Sequence, residues 1–182
     1  MKSKNKKYYK PKIIIKKIKL NFLQISGNFH EISNGFYPEI LMAGSCVSCD
    51  CFIRDTKILL PDGKGKMIQN ISESDEIVTY DVTNDKYDIC RINKKIKYTR
   101  VDKGYLIING ELKITGNHRL WVNNSKWIRA DDLKVNDFVM NNSKNKVKIT
   151  KIERVDGRFD TYFLQLLNNY HTLFADNILV HE

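Results

Sequence analysis

Three places in this chain hold residue types able to make and break bonds. Cys51 opens the run Cys51-Phe52-Ile53-Arg54-Asp55-Thr56-Lys57-Ile58. Thr115-Gly116-Asn117-His118 sets a hydroxyl and an imidazole three residues apart in mid-sequence, and Val180-His181-Glu182 closes it. A cysteine thiol is acidic enough to supply some thiolate near neutrality and is intrinsically nucleophilic. An imidazole titrates close to physiological pH, so it both takes and gives protons. Singly these are cheap patterns. A Thr-x-x-His is usually a turn with a surface histidine, and a cysteine before a strand is usually a small core residue. Their order along one chain is what points to chemistry.

The other cysteines do not make a metal site. Cys46, Cys49 and Cys51 crowd together and Cys90 stands apart. The lone Cys46-x-x-Cys49 has no second ligand pair at a comparable spacing, so no metal and no cofactor are expected. A zinc module built on Cys46, Cys49 and Cys51 is the weakest alternative. Ile13-Ile14-Ile15 is broken by Lys16 and Lys17 before a signal-peptide core forms, and no segment is apolar for long enough to span a bilayer. The expectation is a soluble, intracellular (cytoplasmic) monomer with free thiols.

The net charge is +10 over 182 residues, and 42% of them are hydrophobic. Nine lysines and three acids fall in the first 50 residues, leaving that segment at about +6. A basic arm is the footprint of a nucleic-acid binder. A charge run in a Lys-, Asn- and Ile-rich chain is more simply a solvated face, so no nucleic-acid partner is expected.

Residues 1–50 and 51–182 read as different material. The first part holds one credible strand, where Ile18, Leu20 and Phe22 alternate with Lys19 and Asn21, and it is small for an independent domain. From Cys51 on, strands and turns recur and no long 3.6-residue stripe appears. Pro61-Asp62-Gly63 ends a strand over Thr56–Leu60. Asn109-Gly110 predicts a hairpin of Tyr105–Ile108 with Glu111–Thr115. Asp156-Gly157 predicts another, of Val147–Val155 with Arg158–Leu167, and Asp176-Asn177 turns the chain into a last strand, Ile178–Val180. At most a short helical turn is expected, near Ile68–Ser72 or Ala130–Leu133. A weak internal repeat relates Lys66-Met67-Ile68-Gln69, Ile71 and Asp75 to Lys126-Trp127-Ile128-Arg129, Leu133 and Asp137 once a gap is opened between the blocks.

The ordered motifs over 51–182 resemble the Hint (hedgehog/intein) domain family. Cys51 to Leu60 is similar to its opening motif and Ile114-Thr115-Gly116-Asn117-His118 to its central Thr-x-x-His. Tyr162 to Leu166 and His171 to His181 are similar to its two closing motifs. The resemblance implies an all-β, flattened horseshoe of curved strands with pseudo-twofold symmetry. It also implies self-cleavage of the Asp50–Cys51 peptide bond through an N-to-S acyl shift. Cys51 would attack the Asp50 carbonyl, His118 would protonate the leaving amine, and Thr115 would hold the scissile carbonyl. The interval from Trp121 to Asp160 is too short for a homing endonuclease, so DNA cleavage is not expected. The partner is the chain's own amino-terminal segment, with water or a small nucleophile to open the thioester. Asp50 sits beside the activated carbonyl and is an accessory candidate.

Two departures bear on the later steps. Splicing relatives follow the closing histidine with Asn, whose amide nitrogen cyclises. Here His181 is followed by Glu182, which has none, so joining to a downstream segment is not expected. His181 is then a structural or second polar contact. The assisting Asp of many relatives falls on Phe163, with Asp160 three residues earlier as a stand-in and His171 as a further accessory. The reading is self-cleavage without Asn cyclisation. The alternatives are a splicing intein with its terminal Asn altered or downstream segment removed, and a non-catalytic β-rich binding module with a basic arm.

Overall fold

The computed structural model describes residues 50–182 except 103 and 168. The strand expected over Ile18–Phe22 and the basic arm lie outside the described residues. Fifteen strands follow in order: β1 (Phe52–Ile53), β2 (Lys57–Leu59), β3 (Gly65–Met67), β4 (Glu76–Asp81), β5 (Lys86–Asp102), β6 (Tyr105–Ile108), β7 (Leu112–Ile114), β8 (Arg119–Val122), β9 (Lys126–Arg129), β10 (Phe138–Met140), β11 (Lys146–Lys148), β12 (Ile152–Val155), β13 (Arg158–Leu166), β14 (Thr172–Ala175) and β15 (Ile178–His181). Single turns of 3-10 helix at Ile68–Asn70 and Ala130–Asp132 fall at both places where at most one short helical turn is expected, and no α-helix occurs among the described residues.

The strands form two sheets, β12-β6-β7-β1-β13-β5-β4 and β11-β10-β8-β15-β14-β2-β3, with β9 added to β8. All the assigned pairings are antiparallel, which suits one core-facing and one solvated side per strand. β7 reads buried, intermediate, buried over Leu112–Ile114, and Phe52, Ile58, Ile114, Leu120, Leu164 and Leu173 meet in the main core. A second cluster gathers Leu59, Tyr80, Met140, Phe174 and Leu179.

Turn chemistry places the hairpins. Asn109 and Gly110 both take positive φ, 53° and 78°, as a type I′ turn demands, and Leu106 faces Ile114 across it. Asp176 and Asn177 do the same at 44° and 65°, joining β14 to β15. The Asp156-Gly157 hairpin does not form. β12 pairs with β6 and β13 pairs with β1 and β5, so these two strands lie apart in the sheet. Only Gly157 has positive φ there, at 134°, which is not the I′ geometry. Asn109 supplies the physical reason: its Oδ1 accepts from the Thr150 amide at 2.8 Å, and its Nδ2 donates to the Lys148 carbonyl at 2.9 Å. Those bonds pin the start of β12 to the free edge of β6. Val147 belongs to β11, in the other sheet.

The internal repeat is a true pseudo-symmetry, in a different register. The Ile68 amide donates to the Thr56 carbonyl at 2.8 Å, and the Ala130 amide to the His118 carbonyl at 2.6 Å. Ser72 and Asp75 bond each other as Lys134 and Asp137 do. Lys57 faces Met67 as Arg119 faces Arg129, so Lys66 corresponds to Ile128 and no residue is inserted. Backbone geometry, rather than similarity of side chains, sets that correspondence. It also makes His118 the counterpart of Thr56, a buried residue whose hydroxyl serves the backbone by donating to the Lys113 carbonyl.

Candidate functional site

The site is built where β1 begins beside the end of β7. Phe52 faces both Ile114 and Tyr162, so β1 is clamped between β7 and β13. Cys51, just before it, is buried with 1% exposure. Its amide donates to Thr115 Oγ1 at 3.0 Å, and its carbonyl accepts from the Thr115 amide at 3.0 Å. The Asn109-Gly110 hairpin therefore does what a delivery device must: it carries Thr115 to the 50–51 peptide bond. The Thr115 hydroxyl bonds the nitrogen of that bond, whereas the resemblance implied a hold on its carbonyl. An acceptor at the nitrogen strengthens its hold as the nitrogen gains positive charge.

Thr115 to His118 is a tight turn, closed by the His118 amide donating to the Thr115 carbonyl at 3.2 Å. Gly116 is required for space. A Cβ there would overlap the Asp131 carboxylate, which is itself held by Arg154 at 2.6 Å. Arg129 donates to the Asn117 side chain from the neighbouring strand. The turn is thus braced from β9, from the 3-10 turn at Ala130–Asp132 and from β12.

His118 is fully buried, its ring 4.3 Å from that of Phe52. Burial pushes its pKa down to about 3, against a raising hydrogen bond to the His181 backbone. The expectation that it titrates near physiological pH is therefore wrong for this state: the imidazole is neutral, because a charged ring would lose its hydration with no anion to replace it. Its Nδ1 lies 3.2 Å from the His181 carbonyl oxygen. A carbonyl can only accept, so Nδ1 carries the proton and Nε2 holds a lone pair. Nε2 is buried without a hydrogen-bond partner among the described residues.

The other sequence candidates fall in four places. His181 is half-buried, pairs with Arg119 across the sheet and packs edge-on against Trp127 at 5.2 Å. Burial lowers its pKa. Glu182 donates its amide to the His171 carbonyl at 2.8 Å and sets Oε1 3.1 Å from His171 Nδ1, with burial raising its carboxyl pKa. His171 thus serves the last residue. Asp160 is ion-paired with Lys97 at 2.7 Å on a half-exposed face. The β1–β13 register, carried one step past Phe52–Tyr162, sets Phe163 opposite Cys51 and leaves Asp160 further along the strand. Asp50 is half-buried, and burial raises its carboxyl pKa against the pull of Arg119 and Arg129.

Sequence reasoning missed Tyr98, Arg119 and Arg129. Tyr98 pairs with Thr161 from the long strand β5, and burial first, then the charge of Cys51, raises its phenol pKa. Strand pairing brings Tyr98 and Arg129 here, while Arg119 follows His118 directly in the sequence. Among the described residues no group of three or more His, Cys, Asp or Glu is placed to hold a metal ion, and no helix is long and apolar enough to cross a membrane. Cys46 and Cys49 lie outside the described residues.

No protein-family model matches the chain. Among curated proteins it is 35% identical over 97 residues to reverse gyrase of Methanocaldococcus jannaschii, a match spanning 49% of this chain and only 6% of that protein. Among solved structures, a bacterial intein-like domain from Clostridium thermocellum matches with a TM-score of 0.67 and 21% identity, covering 74% of this chain and all of that one. A DnaB intein from Synechocystis sp. PCC 6803 matches at 0.62 and 20%, covering 73% and 98%. The gp41-1 intein matches at 0.59 and 19%, covering 74% and 100%. The fold is the one shared by these domains.

Proposed function

With the intein-type (Hint) fold as premise, we propose that residues 51–182 form an autoprocessing domain that cuts its own Asp50–Cys51 bond and releases residues 1–50. The carrying observation is the Cys51 amide held by Thr115 Oγ1 at 3.0 Å in a buried site. Cys51 Sγ attacks the Asp50 carbonyl carbon, a C–S bond forms and the C–N bond breaks. The thiol proton is relayed through the vacant Nε2 of His118 to the departing amine in step with the attack, because an imidazole of so low a pKa does not hold a thiol's proton. The depressed pKa suits the second transfer: an imidazolium formed in that buried position is a strong acid. Thr115 Oγ1 steadies the nitrogen as it becomes an ammonium. Water then opens the thioester, restoring the thiol and leaving a carboxylate on Asp50, whose own side chain stands close enough to direct that water.

Glu182 occupies the position from which splicing domains cyclise, and its carboxylate has no amide nitrogen to attack with. A second reading, an intein altered at this position, is favoured by one contact: the His118–His181 bond joins the upstream site to the closing residues. Intact mass of freshly purified protein beside Cys51→Ala, with and without added thiol, tests the first reading. Fragments breaking at Asp50–Cys51 only with Cys51 present, and more of them with thiol, support it. Intact chains in both samples overturn it.

A further inference from the structure

Beside the scissile bond the structure sets two arginines face to face, an arrangement that sheets normally avoid. Arg119, the first residue of β8, lies directly opposite Arg129 of β9. Like charges in that relation repel. Arg129 is compensated, by the Asn117 side-chain oxygen and by Asp131 at 3.9 Å. The Arg119 side chain has no hydrogen bond or ion pair among the described residues, and its other cross-strand neighbour is His181, which brings no negative charge.

The chain path brings residue 50 to this pair. The Cys51 amide is fixed on Thr115, the Thr115 carbonyl receives the His118 amide at 3.2 Å, and Arg119 is the next residue. On the other side, the Ala130 amide bonds the His118 carbonyl at 2.6 Å, which holds the adjacent Arg129 to the same turn. Asp50 is half-buried there and makes no ion pair among the described residues; burial raises its carboxyl pKa, and the positive charges of Arg119 and Arg129 oppose that rise. A carboxylate that has lost part of its hydration gains most from fixed positive charge nearby.

We propose that Arg119 and Arg129 read the side chain of residue 50, so that the domain accepts an acidic residue upstream of the scissile bond and rejects a basic one. The pair would favour a carboxylate at residue 50 through its charge rather than through a direct ion pair, making Arg119 a specificity-determining residue. This inference rests on the autocleavage reading, and its test has an arm that does not need cleavage.

The rate arm compares Asp, Asn and Lys at position 50 in thiol-induced cleavage, with Arg119 native and as Arg119→Glu. Asp50→Asn is expected to slow cleavage about tenfold, Asp50→Lys more, and Arg119→Glu to rescue Asp50→Lys while harming the native chain. Equal rates across the panel, or a slow Asp50→Lys that Arg119→Glu does not rescue, overturn the proposal while leaving autocleavage standing. The second arm follows the Asp50 carboxyl by NMR titration in the uncleavable Cys51→Ala protein. Arg119→Gln is expected to raise its pKa, since a lowering charge is removed. If the wild type never cleaves, this arm decides alone, and an unmoved pKa overturns the inference.

Discussion

Acid is expected to unfold this domain through His118. In the folded state its pKa lies at about 3, against an ordinary value of 6.5. Below pH 6.5 the unfolded chain takes up a proton at this residue that the native chain refuses. Stability contributed by the neutral, buried ring is therefore complete above 6.5 and is lost as pH falls toward about 3. The loss runs at about 1.4 kcal/mol per pH unit for one such group. It reaches about 3 kcal/mol near pH 4.5, a large part of the 5–15 kcal/mol typical of a whole domain. The assay is urea unfolding at several pH values between 4 and 8, in a Cys51→Ala background so that the chain stays intact. His118→Gln is the comparison: its amide can still donate to the His181 carbonyl, and it does not titrate. Asp50, Asp176 and Glu182 have raised carboxyl pKa values, so they favour the folded state as pH falls, and they are common to both proteins. The variant is expected to be less stable at pH 8 and to have a shallower slope below 6.5. Parallel curves over that range would refute the reasoning, since they would mean the ring gains its proton as readily folded as unfolded.

Thr115→Val keeps the shape of the side chain but removes the acceptor 3.0 Å from the Cys51 amide, and cleavage measured by intact mass is expected to fall by about a hundredfold. Gly116→Ala drives a methyl into the Asp131 carboxylate and strains its Arg154 pair, so urea unfolding is expected to show a loss of about 1–3 kcal/mol together with slower cleavage. Ile114→Ala opens a cavity under the strand that delivers Thr115, at a cost of about 2–5 kcal/mol by the same measurement. Glu182→Asn with a downstream Cys-containing segment restores the missing amide nitrogen. Ligated flanks in its mass spectrum would favour the altered-intein reading, and cleaved flanks without ligation the self-cleaving one.

Some of this molecule was legible residue by residue. Asn109-Gly110 and Asp176-Asn177 make their turns because each must hold positive φ at both central positions, a preference carried by the residues themselves. The alternating strands follow from equally local patterns. The order Cys51, Thr115, His118, His181 likewise singled out residues that the fold brings into contact, Thr115 with Cys51 and His118 with the His181 backbone. What only the tertiary structure decided were the relations between distant strands. β12 joined β6 rather than β13 because Asn109 fixes its start from another hairpin, and the repeat took its register from backbone hydrogen bonds. Tyr98 and Arg129 reached the site by strand pairing. The protonation of His118 belongs here too: an imidazole has one ordinary pKa in any sequence, and only complete burial beside Phe52 turns it into a neutral base with a vacant nitrogen. Residue types set which reactions are available, and packing sets the charge state and partners with which each residue meets them.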